Sequence, residues 1–137
     1  MQIRRLLLLF ALLWSVTIKA DEALVVIGHP SLPKADLATL QRLYTGRAVS
    51  LGSHLAIPLN LPTGHPVRLQ FLDNVMGQNE EQYTGYWLVR RYVGKGAPPQ
   101  EVPDIDELLR TVIATPGALG YVPLSKVPAG SNVIFKR

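Results

Sequence analysis

The sequence predicts an α/β protein, a three-layer α/β/α sandwich built around a mainly parallel or mixed sheet. Short apolar runs rich in β-branched residues, such as 23–28, are typical of strands buried on both faces. These runs alternate with segments whose apolar residues recur at helical spacing, such as 36–44. The sequence contains no internal repeat, low-complexity tract or interdomain linker. Strands separated by helices favour a single domain with helices on both faces of its sheet.

Residues 1–20 are predicted to be a signal peptide. Two arginines precede the unbroken apolar run 6–14, and Ala20 ends an acceptable cleavage site. The run is too short to cross a bilayer, although an uncleaved anchor is the alternative because Ile18 is bulky for its place. We therefore expect one domain over 21–137, exported to the periplasm, with no membrane span after cleavage.

The chain that remains after cleavage is nearly neutral and has no cysteine. Removing 20 of the 137 residues leaves 117, which is enough for one domain with a single core. Three of the 14 lysines and arginines lie in the signal peptide, so 11 remain against 10 acidic residues, a net charge of +1. This balance argues against a nucleic-acid partner, which would need a basic stripe. Without cysteine, an exported chain must be stabilised by packing rather than by disulfides.

Four strands and four helices are predicted. The strands are 23–28, 55–61, 118–122 and 132–135, and the helices are 36–44, 66–76, 79–93 and 104–115. Asn79 and Asp104 are expected to cap the last two helices, each with a Gln or Glu three residues later. Gly77 is expected to end the second helix in the left-handed conformation.

Two connecting segments are predicted to be loops. Residues 47–54 are interpreted as a polar loop. Residues 97–103 contain three prolines, which disfavour both helix and strand pairing, so this segment is interpreted as a surface crossing.

The turn at residues 62–68 is the candidate functional feature of the chain. Thr63 is expected to cap the helix that follows, Gly64 to let the backbone bend, and Pro66 to occupy the first helical turn. Free N–H groups at a helix start favour a phosphate, sulfate or carboxylate, and Arg68 would supply a counter-charge one turn later. The alternative is that this turn only caps its own helix.

Nothing in the residue pattern indicates an enzyme, a cofactor or a metal. His29, His54 and His65 are too far apart to form a helical metal pair, and no cysteine supports them. No nucleophile elbow is present, and Thr63 cannot easily face His65 at a helix start.

Aromatic and acidic residues on the predicted helices also have plain explanations. Tyr83, Tyr86 and Trp87 are interpreted as core and rim packing rather than as a platform for stacking a ligand. The paired acids Glu80 and Glu81 lie in a helix first turn, where the helix dipole accounts for them.

Four segments of the chain, in a fixed order, carry a family resemblance. They are Leu-Ala-Thr-Leu-Gln-Arg-Leu-Tyr-Thr-Gly-Arg at 37–47, Pro-Thr-Gly-His at 62–65 followed by Arg68 and Phe71, Tyr-Trp at 86–87 followed by Val-Gly-Lys-Gly-Ala-Pro-Pro at 93–99, and Pro-Gly-Ala-Leu-Gly-Tyr-Val at 116–122. Together they resemble the phosphate-binding proteins that serve ABC transporters, within the type II periplasmic binding protein superfamily. The resemblance covers residues 24–135 and implies a single lobe of such a protein, whose full-length relatives close two lobes on phosphate.

The resemblance also implies a binding site. Thr63, Gly64 and His65 match the family's Ser-Gly-Thr turn, which holds phosphate through hydroxyl and N–H groups, and Arg68 follows it. The family's arginine, four residues before the serine, falls at Leu59, which cannot bind an anion. His65 replaces a hydroxyl, so binding would depend on pH if the imidazole must be protonated.

The resemblance implies an exported solute-binding-like protein that binds phosphate or a similar oxyanion weakly and works with an ABC permease. A single lobe leaves several phosphate oxygens facing water, which is why weak binding is expected. A homodimer could supply the second wall of the cleft. The alternative function is a single-lobe interaction or accessory module of an envelope or sensory complex, without a role in transport.

Overall fold

The computed structural model describes residues 22–137, so the predicted signal peptide lies outside the described residues. The strands are β1 (Leu24–Gly28), β2 (Ser50–Leu51), β3 (His54–Leu55), β4 (Ile57–Asn60), β5 (Gln100–Glu101), β6 (Ala118–Pro123) and β7 (Asn132–Lys136). The helices are α1 (Leu37–Tyr44), α2 (Pro66–Phe71), α3 (Glu80–Tyr92) and α4 (Ile105–Ala114). None of these helices is long and apolar enough to cross a membrane.

The main sheet is mixed and has β6 at its centre, with β1 beside it. Its strand order is β5-β4-β6-β1-β7, with β4 parallel to β5 and β6, and β1 antiparallel to β6 and β7. Every residue of β1 is buried, as the continuous apolar run predicted. The predicted mixed α/β class is confirmed.

Neighbouring residues of β6 show that helices cover both faces of the sheet. Tyr121 stacks on Phe71 of the α2 layer, with ring centroids 4.0 Å apart. On the other face, a Cβ atom on Gly120 would lie 2.8 Å from the Leu108 side chain of α4. Because successive side chains of a strand point to opposite faces, α2 and α4 belong to different layers, which gives the three-layer arrangement.

The predicted helix ends are largely confirmed. Asn79 accepts from the Gln82 backbone N–H, and the Gln82 side chain accepts from Asn79 N–H in return, forming a complete capping box. Asp104 accepts from Glu107 N–H at 2.8 Å. Gly77 has φ 62°, the left-handed conformation expected of it.

The helix predicted over 66–76 differs in its second half. The α-helix α2 stops at Phe71, and Leu72–Met76 continues as a π-helical turn. Apolar spacing alone does not distinguish these two windings, because both can direct an apolar stripe at the core.

The prediction that Thr63 caps α2 is wrong. Pro66 is the first helical residue, so the capping position falls on His65, whose Nδ1 accepts from Val67 N–H at 3.1 Å. Thr63 lies two residues earlier and is exposed. The turn before the helix is closed by His65 N–H donating to the Pro62 carbonyl at 3.0 Å.

Both segments predicted to be loops contain residues that pair in a β-ladder. In 97–103, two of the three residues between Pro99 and Pro103, Gln100–Glu101, form the edge strand β5, and the third, Val102, donates its N–H to the Asn60 carbonyl at 2.9 Å. Proline excludes only its own position from an edge ladder, so the residues between prolines remain free to pair. The predicted loop 47–54 contributes to the short hairpin of β2 and β3, which turns at Gly52 with φ +61°.

Candidate functional site

A cleft of about 190 Å³ opens at the carboxyl ends of β4 and β5. Ligands of open α/β sheets bind outside the carboxyl ends of strands, so this is the position where a site is expected. The lining residues are Asn60, Thr63, Arg68, Tyr83, Thr84, Trp87, Leu88, Arg91, Pro98, Pro99 and Glu101. Thr63 and Arg68, which the sequence singled out, therefore line the same cleft.

Arg68 is the central charge of the cleft and is only 4% exposed. Its Nε and Nη2 atoms donate to Glu80 Oε2 at 3.2 and 2.9 Å. Its Nη1 donates to Glu101 Oε1 at 3.2 Å and to the Leu61 carbonyl at 3.1 Å. The planar guanidinium fork thus holds two carboxylates and a backbone carbonyl simultaneously.

Glu80 also reaches the predicted turn. Gly64 N–H donates to Glu80 Oε1 at 2.8 Å, while the other carboxylate oxygen lies on Arg68. One anionic group is therefore shared between the turn amide and the buried arginine, through charge-assisted hydrogen bonds. Gly64 has φ +82°, a backbone conformation that residues with a side chain rarely adopt. This bend helps to direct the Gly64 N–H at the carboxylate.

In the sequence, the helix dipole alone explains Glu80, and its contacts with Gly64 and Arg68 are not predicted. An arginine on the inward side of α2 requires an acidic partner, since an isolated buried charge is unfavourable. The sequence gives no signal that selects Glu80 among the ten acidic residues, because the two residues are 12 apart and on different helices.

Buried tyrosines and an asparagine form the floor beside Arg68. Asn60 is 1% exposed, donates to the Tyr83 hydroxyl at 3.1 Å and accepts from the Tyr121 hydroxyl at 2.9 Å. Tyr121 in turn accepts from Leu61 N–H at 3.1 Å. Burial raises the pKa of Tyr83 and of Tyr121, so both phenols stay neutral and can donate.

The predicted packing role of the α3 aromatics is confirmed. Tyr83 and Trp87 are buried, and Trp87 Nε1 donates to the Tyr44 carbonyl at 3.2 Å. Tyr86 is half-buried and its hydroxyl donates to the Thr45 carbonyl at 2.7 Å. These contacts attach α3 to α1 and so fix the position of Glu80 at the start of α3.

The remaining predicted positions are less favourable to an anion. His65 is turned into a helix cap, so Nδ1 is already an acceptor and only Nε2 is left to contact a guest. Leu59, where the resembling family carries an arginine, is fully buried in β4. Arg68 is consequently the one side-chain cation among the four predicted site residues, and two carboxylates neutralise it.

Within residues 22–137, no group of three or more His, Cys, Asp or Glu side chains could hold a metal ion. The cleft is lined by the buried Arg68 guanidinium, the exposed Thr63 and the Tyr83 phenol, whose hydroxyl already donates to the Tyr44 carbonyl at 2.9 Å. An anionic oxygen group could bind to Arg68 and the Gly64 amide only in place of a carboxylate that they now hold.

Solved structures of substrate-binding and transport-receptor proteins are similar to this chain in fold. A Clostridium perfringens protein with bound phosphate, assigned to the phosphate ABC transporter substrate-binding proteins, matches with a TM-score of 0.64 and 16% identity. An ABC-type phosphate transport receptor from Vibrio cholerae matches with a TM-score of 0.62 and 13% identity. No protein-family model and no curated protein matches the sequence.

The two matches each cover 82% of this chain but only 44% and 45% of the solved chains. The chain thus spans less than half the length of the proteins it resembles. The resemblance seen in the sequence is confirmed as a likeness in fold to a substrate-binding protein and a transport receptor.

Proposed function

We propose that the chain is an exported solute-binding-like protein that binds a phosphate-like oxyanion at Thr63, Gly64, His65 and Arg68. The observation that supports this most directly is the Glu80 carboxylate, whose two oxygens lie on the Gly64 amide and the Arg68 guanidinium at 2.8 and 2.9 Å. These donors already coordinate an anionic group, and a tetrahedral oxyanion presents oxygens with the same requirements.

Binding requires Glu80 to leave its place. Its side chain is 19% exposed and stands at the first residue of α3, so a rotation can carry the carboxylate into solvent. The vacated amide and guanidinium would then face the anion, and the exposed Thr63 hydroxyl can add a hydrogen bond.

The proposed affinity is weak. Glu80 competes for the same donors, and Glu101 stays against Arg68 Nη1 while the anion binds. The open cleft also leaves part of the anion in water. We expect a dissociation constant in the millimolar range, on the order of −4 kcal/mol.

Thermal unfolding with phosphate, sulfate and tungstate, against chloride at matched ionic strength, tests the proposal. At an anion concentration about ten times the dissociation constant, ligand linkage stabilises the folded state by about 1.4 kcal/mol, a rise of a few degrees in Tm. Thr63→Val should reduce the rise, and Thr111→Val in α4 serves as the matched control. No rise beyond the chloride control would falsify the oxyanion site.

Export and transport are parts of the same proposal. The solved neighbours serve phosphate ABC transport, so an ABC permease is the proposed partner of this chain. Cleavage after Ala20 is checked by sequencing the N-terminus of the protein recovered from the periplasm, which should begin at Asp21. Recovery of the chain in the cytoplasmic fraction with Met1 retained would contradict export.

A second candidate function is an accessory module that contacts an envelope protein and carries no solute. It is favoured by the complete internal pairing of Arg68, whose Nε, Nη1 and Nη2 atoms all have protein acceptors. A stoichiometric partner recovered from envelope extracts, together with no anion-dependent rise in Tm, would support this function over the first.

A further inference from the structure

The outer face of α3 is apolar, although its inner face already carries the aromatic residues that pack into the core. Leu88, Val89 and Tyr92 are 70%, 65% and 92% exposed. With Gly85, which is also exposed, they fall at positions i, i+3, i+4 and i+7 and so form one continuous stripe on the helix. We call these four residues the α3 stripe.

The α3 stripe has both a ridge and a hollow. Leu88 and Tyr92 form the ridge, and a shallow groove runs beside them, lined by Gly85, Tyr86, Val89, Arg90, Val93 and Lys95. A Cβ atom on Gly85 would meet nothing within 4 Å, so the chain itself leaves the hollow at this residue open. Ridges that insert into grooves are the usual way in which two helices pack.

The two ends of α3 carry opposite charges. Its first turn contains Glu80 and Glu81, and its last turn contains Arg90 and Arg91, with Lys95 just beyond. Glu80 is bound to Arg68, but Glu81 and Lys95 are both exposed. An antiparallel copy of the same helix would therefore place acid against base at both ends of the contact.

We propose that the α3 stripe is the contact between two copies of this chain, packed antiparallel about a two-fold axis near Leu88. Residue 88 is midway between 81 and 95, so this register brings Glu81 of each copy towards the partner's Lys95. The Leu88–Tyr92 ridge of one copy then fits the Gly85 hollow of the other. The inference goes beyond the proposed oxyanion site and does not depend on it.

One pair of helices makes a contact at the small end of specific interfaces, so the dimer is expected to be weak. We expect a dissociation constant in the range of about 10 to 100 µM. Leu88 and Arg91 also line the cleft, so the second copy would lie at the rim of that cleft.

Sedimentation equilibrium without any added oxyanion, from about 5 to about 500 µM protein, measures the association. The unchanged chain should shift from monomer to dimer across this range. Leu88→Glu should raise the dissociation constant at least about tenfold. Ile113→Glu on α4 is the matched control, because Ile113 is 66% exposed on the other layer, and it should leave the dimer unchanged.

Two further variants separate loss of contact from loss of fold. Gly85→Leu has room in the monomer and replaces a helix-interior glycine, so it should leave Tm unchanged or higher while it blocks the approach of the second helix. Glu81→Lys alone should weaken the dimer, because it places two lysines opposite each other. Glu81→Lys combined with Lys95→Glu should restore the dimer, because each contact again joins an acidic and a basic side chain.

Three results would overturn the proposal. A chain that stays monomeric over the whole range has no such contact, and its co-flotation with vesicles rich in phosphatidylglycerol would assign the stripe to a membrane surface. A dimer unaffected by Leu88→Glu and Gly85→Leu uses another face. Failure of the double charge exchange to restore association would exclude the antiparallel arrangement. None of these results bears on oxyanion binding, which is measured separately.

Discussion

The protein contains one arginine–glutamate ion pair that is largely buried and another that is exposed to solvent. Arg68 and Glu80 have side chains that are 5% and 19% exposed, whereas Arg110 and Glu107 are 68% and 41% exposed. Both pairs have a nitrogen–oxygen distance below 3 Å. Water screens the exposed pair, while the buried pair cannot lose one partner without leaving a charge in a poorly solvated place. Loss of one partner is therefore expected to destabilise the protein far more at the buried pair than at the exposed pair.

The largest expected effect is that of Arg68→Ala. This change leaves Glu80 without its cation and removes the donor to the Leu61 carbonyl. We expect a loss of about 3 kcal/mol in the free energy of unfolding, measured by urea denaturation. Arg110→Ala is the matched control and should produce no measurable change. Equal losses in the two variants would show that burial does not distinguish the pairs.

Glu80→Gln should lower the free energy of unfolding by less than Arg68→Ala does, and it should strengthen phosphate binding. The amide keeps the shape of the side chain but removes the negative charge that competes for Arg68. We expect phosphate to bind about tenfold more tightly, a change of about 1.4 kcal/mol, measured by calorimetric titration. Glu107→Gln should leave the affinity unchanged. A weaker affinity in Glu80→Gln would instead make Glu80 a residue that helps to hold the ligand.

Tyr121 and Tyr92 allow a second comparison between a buried and an exposed side chain, because Tyr121 is fully buried and Tyr92 is 92% exposed. Burial is the main reason that the pKa of Tyr121 is raised above its ordinary value of 10.0, so the folded state keeps the phenol protonated when the unfolded chain loses the proton. The free energy of unfolding should stay constant up to about pH 10 and fall as the pH rises further, because the unfolded state then binds fewer protons than the folded state. Tyr121→Phe should remove part of that fall and cost about 1 kcal/mol at neutral pH, from the lost hydrogen bonds.

Denaturation curves from pH 7 to about pH 11 measure this dependence. Tyr92→Phe is the control, since Tyr92 is 92% exposed and lies on the outer side of α3. A fall in stability that is the same in Tyr121→Phe and in the unchanged chain would exclude Tyr121 as its source.

The smallest effect concerns the exposed pair itself. Glu107→Ala combined with Arg110→Ala should differ from the sum of the two single changes by no measurable amount, because their contact is exposed on α4. A double-mutant cycle by urea denaturation measures the coupling. A clear coupling here would mean that exposure is a poor guide to the strength of these pairs.

The sequence predicted the elements whose signals are local. The apolar run of β1, the Asn79 capping box and the left-handed Gly77 each depend on residues a few positions apart, and the structure contains all three. Local rules failed where the outcome depends on distant partners. Gln100–Glu101 pairs because β4 lies beside it, and proline content could not reveal that neighbour.

The candidate site was predicted only in part, because some of its contacts are local in the sequence and others join distant residues. Thr63 and Arg68 line one cleft, as their spacing around a helix start suggested. The capping role fell to His65 instead, because Pro66 rather than Thr63 fixes where the helix begins. Glu80 was assigned to its own helix, although its carboxylate contacts a turn 16 residues earlier. Long-range ion pairs leave no periodic signal in a single sequence.

In the proposed oxyanion site, the Glu80 carboxylate occupies the Gly64 amide and the Arg68 guanidinium when no ligand is bound. A phosphate titration followed by the backbone amide signals of the isotope-labelled protein tests it residue by residue. We expect a saturating shift of the Gly64 signal, with smaller shifts at its neighbours in the turn and at Glu80, and saturation at a lower phosphate concentration in Glu80→Gln. A Gly64 signal that stays in place at tens of millimolar phosphate in both proteins would contradict it.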